Sequence, residues 1–259
     1  MYYRNQIMAQ LCPQDRVSYA SAAGKDGLGR GENGMTSMML RLSEDRLPGA
    51  GDPVYLPALE RALYVAEGEV TVEWASGAVY QSEGSAWLGD AAVALLPGAA
   101  GARLLRFELG RADATDRGLL HAAPRAQSEQ KLAVDVLLDD GFPWLMRCDR
   151  VGFPKGGVAY THIHQGPGLR YCLEGGIRIE SEGHAHQYGP GEAWYESGAA
   201  PVLAPTSSEA ETSFVRCFIL PRQCKGKSSI RYVKPEDVAR PKPQRYKVLG
   251  ERFIALSRG

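Results

Sequence analysis

Two histidines separated by one residue, His162 and His164, are the side chains in this chain best suited to chemistry. Side chains alternate between the two faces of a β-strand, so this H-x-H pair places two imidazoles on the same side. On the inner wall of a barrel, two such imidazoles can bind one divalent metal ion. An H-x-H pair also occurs as ordinary surface or hydrogen-bonded histidines, so the surrounding residues must decide between these interpretations.

Two charged residues downstream of the pair are candidate catalytic residues. The two-residue period directs Arg170 towards the histidine pair, and a buried arginine needs an anionic partner. That partner is either Glu196, as a structural ion pair, or the carboxylate or phosphate of a substrate. Glu196 has a second interpretation, as the third ligand of a metal held by two histidines and one carboxylate, the geometry of non-haem iron oxygenases.

A second H-x-H pair, His184 and His186, follows within about 20 residues. If its strand faces inwards, four imidazoles converge on one cavity. If it faces outwards, the pair is exposed next to the expected turn at Gly183. We expect His184 to be exposed, and the sequence leaves His186 open.

The segments around these residues resemble the two motifs of the cupin superfamily. The first motif is matched by Gly156, the histidine pair, and the run Y-C-L-E-G that begins at Tyr171. The second is similar to P-G-E-A-W-Y-E, which ends at Glu196. The resemblance implies an all-β protein built from double-stranded β-helix, or jelly-roll, barrels. It departs at Gly168, where the family has its ligand Glu, and at Val202, where the family has a further His.

The chain also contains an internal repeat, which indicates two tandem cupin barrels, that is, a bicupin. Five identical pairs are each separated by 107 positions: Tyr64 and Tyr171, Glu67 and Glu174, Gly68 and Gly175, Gly84 and Gly191, Trp87 and Trp194. At the same offset the first copy has Tyr55 and Pro57 opposite the two histidines, which are not transition-metal ligands. We therefore expect a degenerate, metal-free first barrel, an arrangement similar to that of ureidoglycine aminohydrolase-like bicupins.

The predicted domain organisation follows from the repeat and from shifts in composition. It comprises an N-terminal arm (1–34), a degenerate barrel (35–117), a polar linker (118–130), a second barrel with the candidate site (131–221) and a basic C-terminal tail (222–259). The tail carries eleven basic and three acidic residues, a net charge of +8. Its scattered apolar residues need burial, so we expect it to wrap an acidic surface rather than to bind nucleic acid.

Composition narrows the possible partners. The 259 residues contain 30 basic and 30 acidic side chains, and this balance gives no reason to expect a nucleic-acid partner. No apolar run approaches the roughly 20 residues needed to span a bilayer, so no membrane partner is expected. The five dispersed cysteines and the polar first residues lead us to expect reduced thiols and a cytoplasmic location. A homodimer is expected on the resemblance alone.

Three functions remain open at the level of sequence. The first is a metal-dependent enzyme, with Fe, Mn, Ni or Zn held by His162, His164 and Glu196 and acting on a small carboxylated or oxygenated metabolite as a dioxygenase, isomerase or lyase. The second is a non-catalytic module that captures a small anionic ligand through Arg170 and the histidines. The third is a structural or regulatory dimer without a ligand.

Overall fold

The computed structural model describes residues 34–111 and 125–256. The predicted arm at 1–34 lies almost wholly outside the described residues, as does the first half of the predicted linker. No helix in the described parts of the chain is long and apolar enough to cross a membrane.

Seven antiparallel strands form the first half of the molecule. They are β1 (Met35–Leu47), β2 (Val54–Leu56), β3 (Glu60–Trp74), β4 (Gly77–Ser82), β5 (Ala86–Gly89), β6 (Val93–Arg111) and β7 (Gln127–Asp139). The strand order is β4-β3-β6-β1-β7, with β2 paired to β6 and β5 paired to β3. Long β3 and β6 bend through bulges and contribute to both walls of the barrel.

The second half contains two five-stranded antiparallel sheets. Its strands are β8 (Trp144–Phe153), β9 (Val158–His164), β10 (Gly168–Glu174), β11 (Ile177–Ser181), β12 (His184–Tyr188), β13 (Ala193–Glu196), β14 (Val202–Pro205), β15 (Thr212–Pro221), β16 (Ile230–Tyr232) and β17 (Arg245–Ile254). One sheet has the order β13-β10-β15-β8-β17 and the other β12-β11-β14-β9-β16. The only α-helix of the described residues is the short α1 (Pro235–Ala239). The predicted all-β fold of two tandem barrels is confirmed.

Strands at the centre of each barrel are buried on both faces. In β10, Leu169 and Tyr171 pack into a core shared by the two barrels, whereas Arg170 and Cys172 point into the second barrel. The same alternation runs along β15, where Cys217 belongs to the shared core. A β-strand covered on two sides leaves no face for solvent, so every polar residue on these strands must find a partner inside the protein.

The strand pairing differs from the predicted domain boundaries. Strand β7 crosses the predicted boundary at residue 131, yet it pairs with β1 of the first barrel from Met35↔Asp139 to Arg46↔Gln127. In the same way β17, from the predicted tail, pairs with β8. Each barrel thus uses the segment that follows its repeat to cover an edge strand, which protects otherwise unpaired backbone groups.

The basic tail is part of the fold rather than an appendage. Strand β16 adds to the edge of β9, and β17 adds to β8. From β17, Arg252 makes ion pairs with Glu60 and with Asp90 (2.7 Å), both in the first barrel. Glu251 accepts a hydrogen bond of 2.7 Å from Nε of Arg147, a side chain that is 1% exposed. The tail therefore brings Arg252 against two acidic residues of the first barrel.

A buried ion network occupies the interior of the first barrel. Nε of Arg106 donates to Asp45 (2.6 Å) and its Nη1 donates to Glu108 (2.6 Å). Nε of Arg61 donates to the other oxygen of Glu108 at 3.1 Å, and all four side chains are at most 1% exposed. Arg61 lies 107 residues before Gly168, so a guanidinium stands in the first barrel where cupins have a ligand carboxylate.

We expect Arg106→Met to destabilise the protein strongly. The substitution leaves Asp45 and Glu108 buried beside an apolar side chain, and an uncompensated buried charge costs about 3–5 kcal/mol. Urea denaturation followed by circular dichroism measures the free energy of unfolding.

The matched control is Arg178→Met, because Arg178 pairs with Glu180 while its side chain is 54% exposed. This exposed pair should contribute no more than about 1 kcal/mol. Equal losses in the two variants would contradict the structural role given to the buried network.

Candidate functional site

Strand β9 places both predicted histidines inside the second barrel. His162 and His164 are 4% and 5% exposed, and their ring centroids are 4.8 Å apart. The strand lies between β14 and β16, and Val202 of β14 pairs directly with His162. Val202 occupies the position of the additional cupin histidine, so this wall of the site is apolar there.

Backbone carbonyls fix the tautomer of each histidine. Nδ1 of His162 lies 2.7 Å from the carbonyl oxygen of Tyr160, and Nδ1 of His164 lies 2.8 Å from that of Ser229. Because a carbonyl oxygen only accepts, each Nδ1 carries the proton and each Nε2 keeps a free lone pair. A second hydrogen bond that holds the imidazole in this way is typical of metal-binding histidines.

Burial disfavours the charged form of both imidazoles. Burial lowers the pKa of His162 below its usual range. Burial, followed by the positive charges of Arg170 and Arg216, holds the pKa of His164 well below its usual range. Neutral imidazole is the form that binds a metal ion, so the site does not have to lose a proton before it can bind one.

Glu196 on β13 completes a cluster with the two histidines. One carboxylate oxygen, Oε1, accepts a hydrogen bond of 2.9 Å from Nε1 of Trp194. The other, Oε2, lies 3.4 Å from Nε2 of His164 and 2.8 Å from Nη2 of Arg170. The potential ligand atoms of His162, His164 and Glu196 all lie within 4.8 Å of one another.

The register of β10 and β13 explains why the carboxylate of this site comes from Glu196 on β13, whereas the ligand Glu of cupins would lie on β10. Gly168, at the family's Glu position, pairs directly with Glu196. A Cβ at Gly168 would lie only 2.7 Å from the carbonyl oxygen of Cys217 and 2.8 Å from the ring of Phe218. A glutamate does not fit at residue 168, and Glu196 brings a carboxylate to the same site from the neighbouring strand.

The three side chains fit a divalent metal ion. The buried Oε2 of Glu196 makes no aligned hydrogen bond, even though Arg170 lies close enough for an ion pair. Three ligands at about 2.1 Å from one metal lie about 3.0–3.4 Å apart in octahedral or tetrahedral geometry, so the cluster, whose ligand atoms now lie within 4.8 Å, would contract by up to about 1.8 Å on binding. Two imidazole nitrogens and one carboxylate form a donor set suited to Fe, Mn, Ni or Zn.

Arg170 points into the barrel, as the two-residue period of its strand predicts, but it does not line the cavity. It is 1% exposed, its Nη1 donates to the carbonyl of Gly168 at 2.5 Å, and its guanidinium stacks on Phe218 at 4.7 Å. Burial lowers its pKa to about 10, so it remains positively charged at neutral pH. Of the two partners expected for it, the structure contains Glu196.

Unlike its neighbour Arg170, Arg216 of β15 lines the cavity. This residue was not predicted from the sequence. It pairs directly with Arg170 across the sheet, and its Nε donates to Asp149 at 2.6 Å. The described residues provide no hydrogen-bond acceptor for its Nη1 and Nη2. Its place in the run T-S-F-V-R-C-F-I-L, between alternating apolar residues, was the available signal.

A cavity of about 250 Å³ opens beside the cluster. Its wall includes the metal-site residues and Arg216, together with apolar side chains of the barrel. The C-terminal segment supplies its roof through Ser228, Ile230, Tyr232, Lys242, Gln244 and Tyr246. The predicted tail therefore helps to form the site.

The second H-x-H pair does not join this cluster. His184 is exposed, as expected, and His186 is half-buried with its ring 4.5 Å from that of Tyr188. Neither lines the cavity. Among the residues that the structure describes, His162, His164 and Glu196 form the one group with metal-binding geometry.

Solved structures share the arrangement of two barrels. Oxalate decarboxylase of Bacillus subtilis is 13% identical, with a TM-score of 0.56 over 83% of this chain and 80% of that chain. The chain has the bicupin fold. AerE from Microcystis aeruginosa has a TM-score of 0.49 at 13% identity over 71% of this chain and 88% of its own.

A glyoxylate-induced protein from Pseudomonas aeruginosa has a TM-score of 0.47 at 15% identity, covering 73% of this chain and 82% of its own. No family model and no curated protein matches the sequence. At these identities the similarity with solved structures shows the fold alone.

The lowered histidine pKa values predict how the stability of the chelator-treated protein depends on pH. In the unfolded chain each imidazole titrates near about 6.5, whereas the folded chain resists protonation at that pH. The unfolded state then binds more protons, so stability falls as the pH falls below about 6.5, by up to about 1.4 kcal/mol per pH unit for each histidine. Urea unfolding at several pH values measures the slope.

Replacement of both residues, His162→Asn with His164→Asn, should flatten this slope between pH 6.5 and 5. The control variant, His184→Asn with His186→Asn, should keep it, because those side chains are not fully buried. A slope unchanged in the first variant would contradict buried, neutral histidines.

Proposed function

We propose that the second barrel is the active site of a metal-dependent bicupin enzyme that acts on a small carboxylated metabolite. The observation that carries the proposal is the shared orientation of the two imidazoles. Both Nδ1 atoms are held by backbone carbonyls, Nε2 of His164 lies 3.4 Å from Oε2 of Glu196, and a ring nitrogen of each histidine lies within 4.8 Å of a carboxylate oxygen of Glu196. Histidines that served only to fill the core would not require this common arrangement.

The charges around the cluster favour an anionic substrate. Arg170 and Arg216 balance Glu196 and Asp149 when no metal is bound. A divalent ion would add two positive charges in a buried site, where Coulomb interactions are stronger than in water. A negatively charged substrate would restore neutrality, and Arg216 has the free Nη groups to bind it.

A bicupin of similar fold provides a precedent for this combination. The oxalate decarboxylase of Bacillus subtilis contains Mn(II) centres and acts on oxalate, a small dicarboxylate. The low identity carries neither its metal nor its substrate over to this chain. The decarboxylase shows that a two-barrel cupin can bind a metal and a small carboxylate.

Each residue has a separate role in the proposed site. His162, His164 and Glu196 would hold the metal, which supplies Lewis-acid or oxygen chemistry to dioxygenases, isomerases and lyases. Arg170 orients Glu196 through their ion pair, and Trp194 fixes its other oxygen. Arg216 binds the substrate carboxylate, and the roof of the cavity excludes water.

A metal-free binding module is the alternative function, and one observation favours it. Arg170 already neutralises Glu196 at 2.8 Å, and two of the four usual cupin ligand positions are Gly168 and Val202. In that case the barrel would capture an anion at Arg216 without chemistry. The metal content of the protein separates the two functions.

We expect the purified protein to contain nearly one equivalent of Fe, Mn, Ni or Zn per chain, measured by inductively coupled plasma mass spectrometry. His162→Asn with His164→Asn should reduce this content at least about tenfold, because both imidazole ligands are removed. The matched control, His184→Asn with His186→Asn, keeps the number of histidines equal and should retain the metal.

Glu196→Gln tests the third ligand, since it keeps the shape of the side chain but removes its charge. We expect weaker metal binding, seen as loss of metal during dialysis against a mild chelator. Wild-type protein that stays free of metal after incubation with each of the four ions and desalting would overturn the enzyme proposal in favour of the binding module.

A further inference from the structure

Within the proposed function, the cavity also specifies the class of substrate. We propose that the second barrel binds a monocarboxylate with an apolar arm the size of a phenyl group, its carboxylate on Arg216 and its arm against the apolar wall. This inference rests on the proposed function in one respect, that the ligand is a substrate. The binding site itself is defined by residues that are not metal ligands.

The carboxylate end is defined by Arg216. Its side chain is 7% exposed, and the pair with Asp149 uses only Nε. The guanidinium also stacks on Phe218 at 4.7 Å, which fixes its plane. A buried guanidinium with two uncommitted Nη groups facing a cavity is suited to a planar carboxylate.

The remaining wall is predominantly apolar. Val151, Phe153, Ile177, Trp194 and Phe214 all line the cavity and are all buried in the core of the second barrel. These side chains offer no partner to a second charged group, and a carboxylate placed against them would lose its hydration without compensation. An apolar group would instead gain by leaving water.

Lys242, the other basic residue of the cavity, does not form a second carboxylate site. Its Nζ donates to the carbonyls of Val238 (2.7 Å) and Arg240 (2.5 Å) and lies 4.6 Å from the ring centre of Tyr232. The ammonium group is thus held in the roof by the C-terminal segment. One free basic group therefore lines the cavity among the described residues, which favours one carboxylate.

The volume sets the size of the arm. An apolar cavity of about 150 Å³ is large enough for benzene. The observed volume of about 250 Å³ therefore accommodates a phenyl-sized group and a short chain that ends in a carboxylate. Oxalate would leave most of the apolar wall uncovered.

Isothermal titration calorimetry with three probes tests the proposal on the protein as purified and after treatment with a chelator. The probes are 3-phenylpropionate, its neutral amide 3-phenylpropanamide, and oxalate. We expect 3-phenylpropionate to bind at least about tenfold more tightly than either of the others. Equal affinities for the acid and its amide, or preferential binding of oxalate, would overturn the proposal.

Two variants locate the binding site. Asp149→Asn with Arg216→Gln removes both members of the ion pair, so that no unpaired charge is left, and should weaken 3-phenylpropionate binding at least about tenfold. Ile179 also lines the cavity, so Ile179→Trp should weaken binding similarly by filling the cavity while leaving the metal content unchanged. Tyr55→Trp, at a side chain that is 58% exposed in the first barrel, is the control.

The outcomes separate the two proposals. Absence of metal together with charge-dependent binding of 3-phenylpropionate would refute the enzyme function and support the ligand class. Stoichiometric metal with no binding of 3-phenylpropionate, or with binding that Ile179→Trp leaves unchanged, would refute the ligand class and leave the metal site standing.

Discussion

Burial of the central strands on both faces is the constraint on which the rest of this structure depends. In β10 and β15, alternate side chains enter the core shared by the barrels, and the others enter the second barrel. Charged residues on the inner face have no route to solvent and must be satisfied by one another. The two barrels meet this constraint differently.

In the first barrel the buried charges pair chiefly with one another, although Nη2 of Arg61 makes no aligned hydrogen bond. Arg61, Arg106, Asp45 and Glu108 form a closed network, and an apolar core fills the remaining interior. In the second barrel, Phe218 of β15 stands where the first barrel has the carboxylate of Glu108 on β6. The two arginines of the second barrel, Arg170 and Arg216, contact different acidic residues. One is neutralised by Glu196, whereas Arg216 keeps free Nη groups. The two barrels therefore differ in how far their buried charged groups are committed to one another.

Much of the fold and half of the site could be predicted from the sequence. A constant offset of 107 residues required two copies of one unit, and the strand period directed His162, His164 and Arg170 into the interior of the second barrel. The role of Glu196 depended on pairing between β10 and β13, which local patterns do not encode. The structure resolves it, since Gly168 lies directly opposite Glu196 and has no room for a side chain of its own.

Contacts made at long range were beyond prediction from the residues alone. Arg216 lies in a strand that reads as an ordinary buried segment, and only the packing of Phe218 and Asp149 shows that part of its guanidinium remains free. The boundaries at 131 and 222 followed the repeat, whereas the strands extend past it. The backbone groups of an edge strand can pair with any segment that reaches them. The sequences of β7 and β17 therefore do not specify the strand with which each one pairs.

The C-terminal segment links the completion of the fold to the completion of the site. Strand β16 pairs with β9 at Ile230↔His164, and the neighbouring carbonyl of Ser229 holds Nδ1 of that histidine. The same segment continues into the roof of the cavity and then into β17, which pairs with β8. Because one stretch of chain closes a sheet edge, sets an imidazole tautomer and covers the cavity, the site acquires its geometry only when the second barrel is complete. A segment that looks like a basic tail by composition is therefore a structural element of the site.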